Sequence, residues 1–449
     1  MFGNFKSLFF KNKEKFLLIC FGISYRLMLH FFLFDKINLE NDSESYQILA
    51  NRIAHSSLLG YGGERTLGYP LLLFLAGNSF KVAVFYQHIL GIISSVFWYK
   101  TFQIFNFSNR NSLLIVLFMQ SFLNVFFFET SILVESLTLF VFSLVFYLLS
   151  NNYIENKKFK IDFLMSFLLG YLTLIKPFFA FIAFVIYGFI VLKDFKFQHI
   201  INRRSIVLFF SLLAYFGTSY FNKMNTGSFT STTFFGYNLA QNCVYFAENG
   251  PKKYEWIGTP YAKHRDLILK KNINQSVAMA IWDTYYSGAF NEKNLTFSEL
   301  SNEMAKYAVE TIKNNPKKYL KQVLTKSWLY FWKPTISMDE TRLNSENKKK
   351  FFFGYWFVQR KFLNVFKYGF LLLVPFYVYT FLKNKKITTE IIIVAIVFGA
   401  SVLQGLITFG TNSRYSFPFE FLMFLIVFVF VKNHFRFLQN YSIKQHKKL

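Results

Sequence analysis

Residues 41–70 read NDSESYQILANRIAHSSLLGYGGERTLGYP, the first sizeable polar interruption in a strongly apolar chain. The apolar residues around it come in runs of about 20, the length that spans a ~30 Å hydrocarbon core. That pattern sets the fold class: an all-α polytopic membrane protein. Composition agrees, with 53% of the 449 residues hydrophobic, 22% aromatic and only 16% charged. The formal charge of +26 would suggest nucleic acid in a soluble protein. In a membrane protein basic residues gather in cytoplasmic loops and set orientation, so no nucleic-acid partner is expected. Cys20 falls in the first apolar run and Cys243 outside it, so neither a disulfide nor a cysteine metal motif is expected.

Outward from this stretch the chain reads as about ten spans. The first, near 15–34, follows Lys6, Lys11, Lys13 and Lys15, is interrupted by Arg26 and His30, and precedes no small-residue cleavage site. It reads as an uncleaved helix with its N-terminus inside. Pro70–Gly77 is apolar but too short to span, and reads as a membrane-dipping helix. Further spans are expected near 82–102, 112–128, 132–149, 161–175, 178–192, 206–221, 363–381 (carrying Pro375), 387–407 and 418–431. Every short basic loop then falls on one side. The expected localisation is a cell (inner) membrane, with both termini cytoplasmic and the 41–70 stretch outside.

Three regions follow: 1–221, with the first outer loop at 36–69; a polar extracytoplasmic region, 222–350; and 351–449, ending in a basic tail. Within the polar region, Leu300, Met304, Tyr307, Ala308 and Thr311 share one face of a short helix. Asn314-Asn315-Pro316 ends it, and 319–332 reads as an interfacial aromatic helix.

The topology sorts the polar residues. Asp42, Glu44, Arg65, Glu129, Glu135, Lys176, Arg414 and Glu420 fall at or near the outer ends of spans. Charges at membrane depth cost about 2.5–3.5 kcal/mol each, so they tend to face cavities and function. Tyr46, Leu49, Ala50 and Ile53 recur at i, i+3, i+4 and i+7, which predicts an amphipathic helix over 43–55 lying on the bilayer. Asp42 sits where its N-cap belongs; a carboxylate there is also placed to act as a general base. Glu44 reads as a solvated helix residue. The turn at Gly60, Gly62 and Gly63 is too loose to read as a phosphate loop. Arg65 suits a substrate phosphate or lipid headgroups. Glu129 and Glu135 flank one hairpin, where they suit a cation, a sugar or, for Glu129, plain exposure. Lys176-Pro177 breaks a helix at the outer boundary, where lysines snorkel. Arg26 lies deep in the first span and needs an anionic partner or a watery cleft.

The ordered set resembles the GT-C class of membrane glycosyltransferases. It is most similar to the bacterial branch related to protein mannosyltransferases and the lipid A aminoarabinose transferase. The matching features are Arg26; Asp42-x-x-x-Tyr46-x-x-x-Ala50; Arg65-x-x-Gly68-Tyr69-Pro70; Gln87; Glu135; Lys176-Pro177; and Arg414-Tyr415-x-x-Pro418-x-Glu420. Many members carry an Asp-Glu pair where this chain has Asp42-Ser43. The resemblance implies a GT-C-like helix arrangement and transfer of a sugar from a polyprenyl-phosphate-type lipid-linked donor to a glycan, lipid or protein acceptor. Asp42 would be the catalytic base, with inversion at the anomeric carbon. Arg65, Lys176 and Arg414 would hold the donor phosphate, supported by Tyr46, Tyr69, Glu135, Tyr415 and Arg26. No cofactor is implied, and a divalent cation on Asp42, Glu44 and Glu135 stays open. A lipid-linked carbohydrate flippase or transporter, or a polysaccharide ligase or polymerase, remains the alternative.

Overall fold

A computed structural model describes residues 13–33, 37–193, 202–270, 276–338, 343, 345–410 and 412–446, with side chains to 434. The first basic run through Lys11, most of the 194–205 loop and the end of the basic tail therefore lie outside the described residues. Among those described, the regular structure is helical, apart from one isolated bridge between Asn38 and Ser131.

Six helices are long and apolar enough to cross a membrane: Lys13–Phe32, Phe80–Ile104, Arg203–Thr226, Glu346–Asn384, Thr389–Ile407 and Asn412–His434. A seventh is added if Asn109–Gln120 and Leu123–Glu129, bent by 63° at their break, count as one span. Ten were expected. The shortfall falls on interior helices such as Glu135–Ser150, whose 16 residues rise only about 24 Å at 1.5 Å per residue. Glu135–Ser150 sits inside the bundle, where neighbouring helices cover its apolar sides: twelve of its residues are buried. The span expected near 363–381 is instead part of a 39-residue helix, Glu346–Asn384, so the residue 350/351 boundary falls inside a continuous element.

One apolar core joins helices from both ends of the chain, running from Leu18 through Phe142 and Leu169 to Ile393 and Val429. A second core belongs to the polar segment: Tyr237, Val244, Ile257, Tyr261, Met304 and Tyr307, closed by Phe409. The expected short helix is there as Phe297–Asn314. All five expected face residues are buried, and its N-terminus is capped reciprocally by Thr296 and Glu299.

The polar segment is fastened at two places that matter for the site. Thr233 donates its N–H to the Gly63 carbonyl (3.0 Å) and its hydroxyl to that of Gly62 (2.9 Å), while the Thr232 hydroxyl reaches the Glu64 carbonyl (2.8 Å). Gly63 has φ +76°, and a Cβ there would meet Asn222 and Thr233 at 3.0 Å, so the turn is a docking turn that needs glycine. At the other end Asn242 donates to the Gly405 and Leu406 carbonyls, and Thr408 to Gln241.

The helix carrying Asp42 begins earlier than expected, spanning Asn41–Ala54 with Glu40 at the N-cap position. Asp42 is therefore in the first turn and is not the cap, because the Ser43 hydroxyl accepts the Glu40 N–H at 2.9 Å. The same hydroxyl donates to the Ile132 carbonyl (3.1 Å), and the Asn38 backbone pairs with Thr130 and Ile132. Residues 38–43 are thus bolted to the 129–135 hairpin, which fixes the Asp42 side chain opposite Glu135.

Candidate active site

Five charged side chains far apart in sequence meet in one cluster. Asp42 Oδ1 accepts from Arg65 (2.6 Å) and Oδ2 from Arg414 (2.5 Å). Arg414 Nε also donates to Glu135 Oε1 (2.9 Å), and Lys176 Nζ reaches the same oxygen (3.1 Å). Every charged residue assigned to the catalytic and donor-phosphate positions is present here, and Glu135 and the aromatic residues pack around them. Arg65 lies over the Tyr46 ring (4.8 Å to the centroid), Lys176 over that of Tyr415 (3.8 Å), and Tyr46 meets Tyr69 edge to face at 5.0 Å.

Each cation is placed by its local chain. Thr66 donates to the Ile175 carbonyl (3.2 Å) and Tyr171 to that of Gly68 (3.1 Å). Gly68 packs so closely on this helix end that a Cβ would sit 2.5 Å from the Ile175 nitrogen. That contact holds the Arg65 loop against the helix end from which Lys176 projects, released by Pro177, which opens the next short helical turn. Ser45, one turn-step from Asp42, accepts from Arg65 Nε at 2.8 Å. It orients the guanidinium and was not legible as a site residue.

Burial alone would raise the Asp42 carboxyl, but the Arg414 and Arg65 guanidiniums outweigh it and hold it well below the usual carboxylate range. Burial raises the Tyr46 phenol, so it stays protonated. The Glu135 side chain is 1% exposed, and its Oε2 is buried without a hydrogen-bond partner among the described residues. Three cations face two carboxylates, leaving an excess of one positive charge at a site that also carries a bare acceptor oxygen.

Beside Arg65 runs a cavity of about 380 Å³ between the Phe159–Ile175 and Ile206–Thr226 helices. Its lining includes Tyr61, Phe167, Tyr171, Phe210 and Phe221, with Arg65 as the charged member.

Three expected residues, Arg26, Glu129 and Glu420, stand elsewhere. Arg26 bonds both oxygens of Glu129 (2.6 and 2.5 Å) and Gln120 (2.9 Å), while His88 takes up the same Glu129 carboxylate (2.9 Å). Glu129 is accordingly buried rather than exposed, and supplies the partner that Arg26 required. This network reaches the cluster through one thread: Gln87 donates to the Glu129 carbonyl (2.7 Å) and accepts from Tyr69 (3.1 Å). Glu420 pairs with Lys367 at 2.8 Å, and Lys367 donates to Ser416 (2.7 Å), two residues past Arg414. Lys367 is a functional-site neighbour absent from the sequence reading, although a charge inside an apolar run is the signal that marks Arg26.

Asp42, Glu44 and Glu135 do not fit a divalent cation. Glu44 is exposed on its helix, the other two carboxylates are engaged by guanidinium and ammonium groups, and among the described residues no group of three or more His, Cys, Asp or Glu side chains is placed to hold a metal ion. No protein-family model matches the sequence, and no curated protein matches it.

Proposed function

We propose that this chain is a membrane glycosyltransferase of GT-C type. About ten transmembrane helices would lie in a cell (inner) membrane with both termini cytoplasmic and the Asp42 cluster on the extracytoplasmic side. It moves a sugar from a polyprenyl-phosphate-type donor to an acceptor hydroxyl. The observation that carries this reading is the cation-rich cluster around Asp42 beside an apolar cavity whose lining includes Arg65. A lipid phosphate needs both halves: positive charge for the leaving group and an apolar channel for its chain.

Asp42 is ionised but over-stabilised by its two arginines, which makes it a poor base in the resting state. A donor phosphate competes for Arg65 and Arg414. As they turn to it, burial is left as the dominant influence on Asp42 and its proton affinity climbs toward the range a general base needs. Asp42 then takes the proton of the acceptor hydroxyl as its oxygen attacks the anomeric carbon. The bond to the phosphate oxygen breaks, and the lipid phosphate leaves with the electron pair among Arg65, Arg414 and Lys176. The bare Glu135 Oε2 is available to a sugar hydroxyl.

A flippase or transporter reading draws on the buried Arg26–Glu129 and Lys367–Glu420 pairs inside the helices. A polysaccharide ligase or polymerase would share the Asp42 chemistry and differ in acceptor. A transfer assay in membranes carrying wild type or Asp42→Asn tests the proposal: glycan output is expected to collapse in the variant. Unchanged output from well-expressed Asp42→Asn protein would refute it.

A further inference from the structure

Arg414 reaches Asp42 and Glu135 from a helix of only five residues, Asn412–Ser416. A helix that short has little cooperativity of its own and depends on what ties its ends. At the first end the Asn412 side chain donates to the Thr408 carbonyl (3.0 Å) and to that of Gln404 (3.3 Å). At the other, Lys367 reaches in from the Glu346–Asn384 helix. Its ammonium donates to the Ser416 hydroxyl (2.7 Å) and lies 2.8 Å from Glu420 Oε1.

The surroundings of Lys367 match its chemistry. An ammonium has three donors and no acceptor, and three oxygens face this one: Ser416 Oγ, Glu420 Oε1 and, at 3.3 Å, the Lys333 carbonyl. The second Glu420 oxygen accepts from Asn124 (2.9 Å), on the Leu123–Glu129 helix that leads into the 129–135 hairpin. Because the ammonium takes up the acceptor side of the Ser416 hydroxyl, that hydroxyl directs its proton to the Ser413 carbonyl (2.8 Å), the peptide that enters Arg414. Lys367 and Glu420 are 1% and 3% exposed. Stability alone does not call for such a pair, since well-packed apolar residues often serve as well or better. What an apolar pair lacks is direction: hydrogen bonds fix the rotation of a turn, and packing alone does not.

Resting on the transferase reading, we propose that Lys367 is the positioning residue for Arg414. It locks the 412–416 turn in one rotation, so that the guanidinium passes from Asp42 to the donor phosphate while its backbone stays in place. In that handover Arg414 releases Asp42 Oδ2 and keeps its Nε on Glu135. A turn free to roll would carry the guanidinium off both partners, and a misplacement of about 1 Å can cost about a hundredfold in rate. Through Asn124 the same lock also reaches the segment that leads to Glu135, so both members of the Arg414–Glu135 contact are referenced to one ammonium. A transport path through Lys367 would need a free valence on the ammonium, whereas its three donors each face a protein oxygen.

The test uses the full chain in nanodiscs with two readouts: the Asp42 titration without ligand, by carboxyl ¹³C NMR, and the affinity for decaprenyl phosphate. Ser416→Ala cuts the link to the turn and leaves the ion pair intact. Lys367→Met combined with Glu420→Gln removes both charges and leaves Asn124 its acceptor. As Arg414 loosens, both variants are expected to raise the Asp42 titration toward the ordinary carboxylate range. Decaprenyl phosphate binding should weaken by about threefold in Ser416→Ala and about tenfold in the double variant. A double variant with both readouts at their wild-type values would overturn the proposal, whether or not its unfolding midpoint falls, because Lys367 would then be a packing residue. If the double variant does not fold, Ser416→Ala decides alone, and wild-type values in both readouts would overturn the proposal. The two readings fail separately. Transfer that survives Asp42→Asn sinks the transferase and leaves the ligand-free titration to judge the lock, while readouts indifferent to these variants sink the lock and leave the transferase.

Discussion

Replacing Glu135 by Gln removes the one negative charge that holds Arg414 and Lys176 together. The carboxylate is 1% exposed and bonds Arg414 at 2.9 Å and Lys176 at 3.1 Å. Breaking a buried pair by deleting one partner costs about 3–5 kcal/mol. Here the stranded cations keep 21% and 13% of their exposure, so solvent relieves part of the penalty and about 2–3 kcal/mol is expected. Arg414→Gln should cost a similar amount, since it strips Glu135 and Asp42 of one cation each. The two residues touch, so the double variant should cost less than the sum, with a coupling of about 1–2 kcal/mol. Equilibrium unfolding in SDS–detergent mixed micelles, run on wild type, both singles and the double, measures the cycle. Additivity within about 0.5 kcal/mol would mean that Glu135 and Arg414 do not share a site, and the cluster would lose its basis.

Three further outcomes follow from the same geometry. The Asp42 carboxyl is held below its unfolded value of about 3.9, so the unfolded chain takes up the proton first as pH falls. The stability difference between wild type and Asp42→Asn should stay constant from pH 8 to about 5 and shrink only below about pH 4; a loss already evident near pH 6 in thermal melts would contradict the arginine clamp. Arg26→Leu strands the Glu129 carboxylate and should cost about 3–5 kcal/mol, part of it recovered by adding Glu129→Leu; an Arg26→Leu melt matching wild type would refute the pairing. Gly68→Ala drives a Cβ to 2.5 Å from the Ile175 backbone and should cost about 1–3 kcal/mol by overpacking, with weaker binding of decaprenyl phosphate because Arg65 and Lys176 move apart; an unaltered melt would contradict the close approach.

The sequence made the membrane class and the site members legible for different reasons. Apolar runs announce membrane helices through length alone, but length also misleads, because helices shielded by their neighbours can be short. That is why Glu135–Ser150 and the bent 109–129 pair depart from ten regular spans. Asp42, Arg65, Glu135, Lys176 and Arg414 could be picked out because charges at span ends are costly unless used. Their distances could not be read, because Arg414 and Asp42 lie 372 residues apart and meet only through the 129–135 hairpin and the docked polar segment. Capping, one of the two roles open to Asp42 in the sequence, falls instead to Glu40, because the helix begins two residues earlier and Ser43 reaches back to the Glu40 N–H. Glu129 was undervalued because its value depends on Arg26, 103 residues away. Lys367 carries the signal that marks Arg26, a charge inside an apolar run, whereas Ser45 carries no pattern that separates it from an ordinary helix residue.

A lipid-borne phosphate is expected to draw the two arginines off Asp42 and turn a clamped carboxylate into a base. Carboxyl ¹³C NMR of the aspartate-labelled chain in nanodiscs, with Asp42→Asn identifying the resonance, reads this directly. Added decaprenyl phosphate is predicted to move the Asp42 titration upward, toward or beyond the ordinary carboxylate range. A titration that stays depressed at saturating decaprenyl phosphate would contradict the account.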